Sequence, residues 1–344
     1  MEIKNHTQFT VQHWLSLTKK GARLGNILII AQFSIHVNAG GEATLSKVPC
    51  SPILAQDLFY TAPNVSSVYA ESDFTALKPT TDIIANATAY APHGEPSTTW
   101  QAGIQVQNDP TAWLTVYGPR YWERALWVSM FSEPEPCLHV PIRYENAFGG
   151  YHQATEAVSP FNPIGKGFLP KGAKVTGTPV HQVEWTDQPI DEEQARNPQL
   201  PAGFGARHRS WQPRLALAGT FDNEWLEKHH PLLPLDYDPR HMLAGCERLR
   251  PKQYLTGGES LTFYQLDPVS PQVTLKIPHF RMMWGITLAK GKLKGAGQCH
   301  LDIEKGIDNG LLTLTWRGEF PAQTLPVMVR AVELPSSPKE AVNG

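Results

Sequence analysis

Apolar and polar residues alternate with a period of two in several short stretches, and those stretches carry the strongest structural signals. In TWQAGIQVQ, Trp100, Ala102, Ile104 and Val106 share one face while Gln101, Gln105 and Gln107 share the other, as in a half-buried strand. Asn108-Asp109-Pro110 turns the chain, TAWLTVYG pairs back, and a strand near Trp122 to Met130 is expected to continue the meander. Residues 24–37 begin as an unbroken apolar run and then alternate through Phe33, Ile35 and Val37, which predicts a strand with one end deep in the core. Asn38-Ala39-Gly40-Gly41 supplies turn chemistry before a partner strand near Ala43 to Val48. A helical turn is expected around Leu54 to Tyr60, and strands at Ser67 to Glu71 and Ile83 to Tyr90. Strands return with SLTFYQL, QVTLKI and LLTLTWRGEF, the last closing a hairpin through an Asp-Asn-Gly turn, before a tail expected to be disordered.

Between these blocks the periodicity fails. The stretch VPIRYENAFGGYHQATEAVSPFNPIGKGF opens as a strand and then abandons regular structure. Gly149, Gly150, Gly165 and Gly167 mark backbone at positive φ or in close approach to another segment, and Pro160 and Pro163 stiffen the path. Beyond it, short helices are expected at Asp191 to Arg196, at Asn223 to Lys228 capped by Thr220 or Asp222, and at Pro239 to Leu249, with a strand at Leu215 to Leu217. The pattern as a whole predicts a mainly β protein of antiparallel sheets, sandwich or barrel-like, with a Gly/Pro-rich irregular middle and a few short helices. Its expected parts are residues 1–142, β-rich; 143–250, irregular; 251–335, β-rich; and the tail 336–344.

Composition changes this picture little. Across 344 residues, Pro 30 and Gly 27 argue against long helices, and a hydrophobic share of 41% supports a large core. The net charge of −2 offers no general attraction to phosphate backbones, so no nucleic-acid partner is expected. Lys290, Lys292 and Lys294 alternate as on a solvated edge strand. RHRSWQPR, from Arg207 to Arg214, is a denser basic run that either pairs with acidic neighbours or binds an anion. Cys50, Cys137, Cys246 and Cys299 form no CxxC pair and read as free thiols of a reducing compartment. The N-terminal stretch lacks an apolar signal core and Ile27 to Ala31 is too short to span a bilayer, so a cytoplasmic protein without membrane contact is expected.

Most catalytic signatures fail on spacing. NPIGKGF lacks the upstream glycine and the Ser or Thr of a P-loop, and GAGQCH ends in His300 where a dinucleotide fingerprint needs Gly or Ala. Cys137 with His139, and His300 with Asp302, put two ligand types on one strand face, a pattern common by chance, so no metal or other cofactor is expected. Asp73, Asp82, Glu123 and Glu145 lie near strand ends among many tryptophans, which leaves a glycan-binding or glycan-cleaving β-rich protein as the alternative function. Arg214 is suited to a buried fork with a carboxylate that pins the loop around Trp211.

RYENAFGG, NPIGKGF, PAGFGARHRSWQPRLALAGTFDNEW and PLLPLDYDPR follow one another in an order that resembles a bacterial family long catalogued as a domain of unknown function. ESDFTALKPTTDIIANATAYAPHG upstream and LLTLTWRGEF downstream resemble the same family, so the likeness covers roughly Gly25 to Pro321. Gln32 and Asn146 stand where relatives tend to carry basic residues. Its members look like effector adaptors of the type VI secretion system, encoded beside tail-spike proteins, PAAR-domain proteins and toxins. The resemblance implies a non-enzymatic cytoplasmic chaperone whose partners are an effector toxin, a PAAR-domain protein or the tail spike. The expected partner-binding or loop-fixing residues are Tyr144, Glu145, Phe148, Gly149, Gly150, Tyr151, Phe161, Asn162, Gly165, Phe168, Trp211 and Arg214.

Overall fold

The computed structural model describes residues 2–173, 177–288, 291–298, 300–304, 310–322 and 326–334. Lys290, Cys299, the Asp308-Asn309 turn and the tail from 336 onward lie outside the described residues. The fold is mainly β and its large sheets are antiparallel almost throughout. Among the described residues no sheet closes on itself, so of the two architectures expected from the pattern the barrel is excluded.

The first large sheet is built on one 15-residue strand, Arg23–Val37. One edge of it pairs with Thr10–Leu17 along its first half and with Ala43–Val48 along its second. Its other edge pairs over eleven positions with Leu311–Pro321, which in turn carries His300–Glu304. The apolar run explains this centrality, because a strand buried on both faces has no use for alternation. Ile27, Ile29, Ala31 and Phe33 face the main core, while Leu28 and Ile30 are buried on the opposite face.

The segment after Cys50 covers that opposite face. Buried Arg317 donates through Nη1 to the Asp73 carbonyl at 2.8 Å and the Thr75 carbonyl at 3.1 Å, and Glu319 accepts from the Leu77 amide at 2.9 Å. Gln32 bridges the sheet to this cover, donating to Thr313 Oγ1 and accepting from the Ser51 amide at 2.7 Å. These bonds explain why a charged side chain sits mid-strand: irregular backbone laid over a sheet needs donors from the sheet.

The second large sheet has the order Val183–Trp185, Ala112–Tyr117, Thr99–Val106, Ser260–Tyr264, Gln272–Lys276. Trp100, Ala102, Ile104 and Val106 turn inward as the alternation requires, opposite Ala112, Leu114 and Val116, and join the same core as the first sheet. A four-stranded sheet of Glu2–Asn5, Pro326–Leu334, Arg281–Leu288 and Gly291–Gln298 contains one parallel pairing, between Glu2–Asn5 and Met328–Ala331.

Several sequence-derived elements require correction. Trp122 to Met130 is not the next strand of the meander; it forms a separate hairpin, Trp122–Ala125 with Val128–Phe131. No helical turn spans Leu54 to Tyr60, because Asp73 takes both the Leu54 amide at 2.7 Å and, through its own amide, the Leu54 carbonyl. The strands expected at Ser67 to Glu71 and Ile83 to Tyr90 shrink to Val68–Ala70 and Thr88–Tyr90. Leu215 to Leu217 is a 3-10 turn beginning at Arg214, its amides satisfied by local carbonyls such as that of Trp211. The helix Asn223–Lys228 is present, with Asp222 accepting from the Trp225 amide at 2.8 Å, whereas Gln194–Arg196, Pro239–Met242 and Glu247–Leu249 are single 3-10 turns.

Trp316, 2% exposed, stands where the strands meet: its ring lies 5.9 Å from that of Phe9 and 5.8 Å from that of Phe280. Trp316→Ala is expected to destabilise the fold by about 3–5 kcal/mol, measured by urea unfolding at constant m.

Candidate functional site

The irregular middle is organised by a crossover. Phe148–Gly149 runs parallel to Lys166–Gly167, with the Lys166 amide donating to Ala147 O at 3.0 Å and the Phe168 amide to Gly149 O at 3.1 Å. Fully buried Asn162 sits at its centre and donates both amide protons, to Tyr144 O at 2.7 Å and Phe148 O at 2.9 Å. A Cβ on Gly149, at φ +149°, would lie 2.1 Å from Asn162 O, and one on Gly165 would lie 2.3 Å from Asn162 Nδ2. The glycines serve close approach of chain to chain, not a ligand cradle. Asn146 accepts from Lys166 Nζ at 2.9 Å.

Three further contacts tie the crossover to its surroundings. Glu145 accepts from the Ser67 amide at 2.9 Å and from the Ser67 hydroxyl. The Tyr144 hydroxyl donates to Gly205 O, and its ring meets Trp211 edge-on at 5.6 Å. Arg214, 5% exposed, forms the expected fork: Nη1 and Nη2 reach the two Glu71 oxygens at 2.7 and 2.8 Å, while Nε donates to His241 O at 2.7 Å. Tyr144, Phe148, Asn162, Phe168, Trp211 and Arg214 are therefore inside the protein. Phe161 is half-buried and Gly150 partly covered, and of the expected site residues Tyr151 stands out, 58% exposed on the small hairpin Tyr151–His152 with Ala157–Val158.

Phe148 and Phe168 belong to a small second core with Trp122, Leu169, Val180 and Ala195. Trp122 is fully buried, and its indole N–H donates to Gly167 O at 3.0 Å, so the crossover grips the root of the Trp122–Phe131 hairpin. The root is held further by Phe131, edge-on to Trp122 at 4.6 Å, and by Glu192, which accepts from the Phe131 amide at 3.1 Å. The tip is the reverse of its root. Leu126 is 90% exposed, Trp127 86% and Val128 65%, and Leu126 holds φ +56°, a conformation that side chains resist. Periodicity missed this tip because no Gly, Asn or Asp marks the turn; the available signal was three apolar residues where strand alternation breaks.

Beside the same core lies an open cleft of about 730 Å³ containing a polar network. Glu184 accepts from the Tyr117 hydroxyl at 2.6 Å through Oε1, while the Ile190 amide at 3.1 Å and His181 Nε2 at 3.0 Å share Oε2. Arg120 stacks on the Tyr117 ring at 3.7 Å and donates to His181 O at 3.0 Å. Burial pushes the Tyr117 hydroxyl up to about 12, aided by the bond to Glu184. Burial and the adjacent guanidinium hold His181 below its ordinary value; burial acts the other way on Glu184, yet the bonds from His181, Tyr117 and Ile190 keep it below the carboxylate norm. A carboxylate so engaged is a weak base, and the network braces the cleft wall. Among the described residues no three metal-ligating side chains cluster. Three of the four carboxylates considered for glycan chemistry have other duties: Asp82 pairs with buried Lys78 at 2.9 Å and accepts from the Ala244 and Gly245 amides, while Asp73 and Glu145 hold backbone; Glu123 lies exposed on the hairpin.

Two outcomes test this account. Arg214→Met leaves Glu71 with only the looser pair to Arg209 at 3.6 Å and is expected to cost about 3 kcal/mol, whereas Arg214→Lys, which keeps charge but loses the fork, costs less; chemical denaturation separates them. His181 binds a proton less readily when folded, so its contribution is complete above about pH 6.5 and is lost as pH falls below that; Glu184 adds a loss at lower pH as it protonates. The melting temperature is expected to fall with acidification, and His181→Gln to fall less steeply between about pH 7 and about pH 5.

Neither a curated protein nor a solved structure matches this chain. A family model matches residues 23–317, from the start of the central strand to the buried Arg317 of its neighbour. The chain thus belongs to the bacterial family described as "Uncharacterized protein conserved in bacteria (DUF2169)".

Proposed function

We propose that this protein is an adaptor, a non-enzymatic chaperone that captures a type VI secretion effector or a PAAR-domain protein and presents it for loading onto the secretion spike. The observation that carries this is the Leu126-Trp127-Val128 tip: three exposed apolar side chains on a hairpin whose root is buried and hydrogen-bonded to the crossover. A hairpin held at its root loses less backbone entropy when its tip docks, and an aromatic anchor of this kind typically dominates an interface. Tyr151 and Val158, exposed on a second hairpin whose Ala157 packs on the same small core, extend the apolar surface available. The order of family motifs supports the same role. Loading from the cytoplasm is part of the proposal, and among the described residues no helix is long and apolar enough to cross a membrane.

A glycan-binding or glycan-cleaving role draws less support, since Asp73, Asp82 and Glu145 are engaged in holding backbone or a buried lysine. Co-purification of the chain with the product of the neighbouring gene tests the proposal directly. The Trp127→Ala variant is expected to bind that partner with about 2 kcal/mol less affinity, with its melting temperature within a few degrees of the parent. Tyr151→Ala should weaken capture by a smaller amount. Equal capture by all three proteins, or binding and hydrolysis of peptidoglycan fragments in place of partner capture, would reject the adaptor role.

A further inference from the structure

The basic run from Arg207 to Arg214 lines a second feature, distant in function from the hairpin. Here a pocket of about 230 Å³ has the apolar side chains of Leu217 and Leu243 in its wall and four arginines around it: Arg207, Arg214, Arg240 and Arg250. Glu247 is the carboxylate among its lining residues. Four guanidinium groups around so small a space repel one another unless negative charge balances them.

Two of the four are balanced within the protein. Arg214 holds Glu71 at 2.7 and 2.8 Å, and Arg240 holds Asp238 at 2.6 and 2.9 Å. Arg250 is different: its nearest carboxylate is that of Glu247, at 3.8 Å, beyond hydrogen-bonding distance. Arg207 has no carboxylate partner among the described residues. The Nε atoms of both Arg207 and Arg250 are buried without a hydrogen-bond acceptor. A buried donor left unsatisfied is costly, and more so when it carries charge, and two of the guanidiniums lining this pocket each hold such a donor.

We propose that this pocket is an oxyanion-binding site that takes the carboxylate or phosphate group of a ligand, with Arg207 and Arg250 supplying the donors. Guanidinium forks match both groups in shape and charge. The volume admits the anionic group with a short stem and excludes a whole cofactor, whose pockets run from about 300 Å³ upward. The wall is preorganised: Arg214 Nη1 also donates to Arg207 O at 2.6 Å, and Asp82 fixes the Ala244 and Gly245 amides at 2.8 and 2.9 Å. The site stands whether or not the hairpin tip docks a protein.

Calorimetric titration of the full chain with inorganic phosphate, and separately with a short acidic peptide, tests this at constant ionic strength. Saturable binding of at least one probe is expected, weakened about tenfold or more in both Arg207→Gln and Arg250→Gln and unchanged in Arg124→Gln on the distant hairpin. Saturation by phosphate alone identifies a phosphate ligand, and saturation by the peptide alone a carboxylate ligand. Arg250, 24% exposed, tolerates substitution better, so its variant decides the matter if Arg207→Gln fails to fold. Absence of saturable binding by either probe, or wild-type affinity in Arg250→Gln, overturns the proposal.

Discussion

Buried backbone must be hydrogen-bonded, and about a hundred residues in the middle of this chain have almost no sheet or helix to do it for them. The consequence is a reliance on a few side chains that serve several carbonyls or amides at once. Asn162 supplies two donors to a crossover where parallel strands of two residues each supply little else. Asp82 accepts two amides and a lysine; Arg214 satisfies a carboxylate and two carbonyls; Arg317 reaches out of a strand to two carbonyls. Each is buried and each is polar, so each is costly in isolation and secure only as part of its network.

This arrangement relates the fold to the proposed roles. The second, smaller core has the crossover on one side and the hairpin root on the other, joined by the bond from Trp122 to Gly167 O. Rigidity built for backbone satisfaction is thereby passed to a strained, apolar tip, where Leu126 tolerates φ +56° because the surrounding pairs determine it. In the arginine pocket, Arg214 is fully engaged with Glu71 and two carbonyls and Arg240 pairs with Asp238, while the Nε atoms of Arg207 and Arg250 lack an acceptor.

Legibility in the sequence followed the range of the interactions. The period-2 face of Trp100 to Val106, the apolar run at Ile27 to Ala31, the Asp222 cap and the Arg214 fork follow from local alternation, capping chemistry or the geometry of one side chain. The helical turn at Leu54 to Tyr60, the strand at Leu215 to Leu217 and the continuation of the meander through Trp122 were wrong for the opposite reason. In the first, a distant partner, Asp73, claimed the Leu54 groups that a local turn would have used. Turn chemistry gave no sign of the hairpin because its turn carries Leu and Trp, which left the break in alternation as its only local mark.

By itself the sequence determined a mainly β class, an irregular Gly/Pro-rich middle and the order of motifs that marks the family, because these depend on periodicity, backbone permissiveness and residue identity. Tertiary structure alone decided which side of the aromatic loop faces water. Phe148 and Phe168 went inward and Tyr151 outward, with the buried Trp122 indole donating to the Gly167 carbonyl between them. It also decided that Arg207 and Arg250 share one pocket, since no spacing along the chain shows which carboxylates will be near enough to neutralise them.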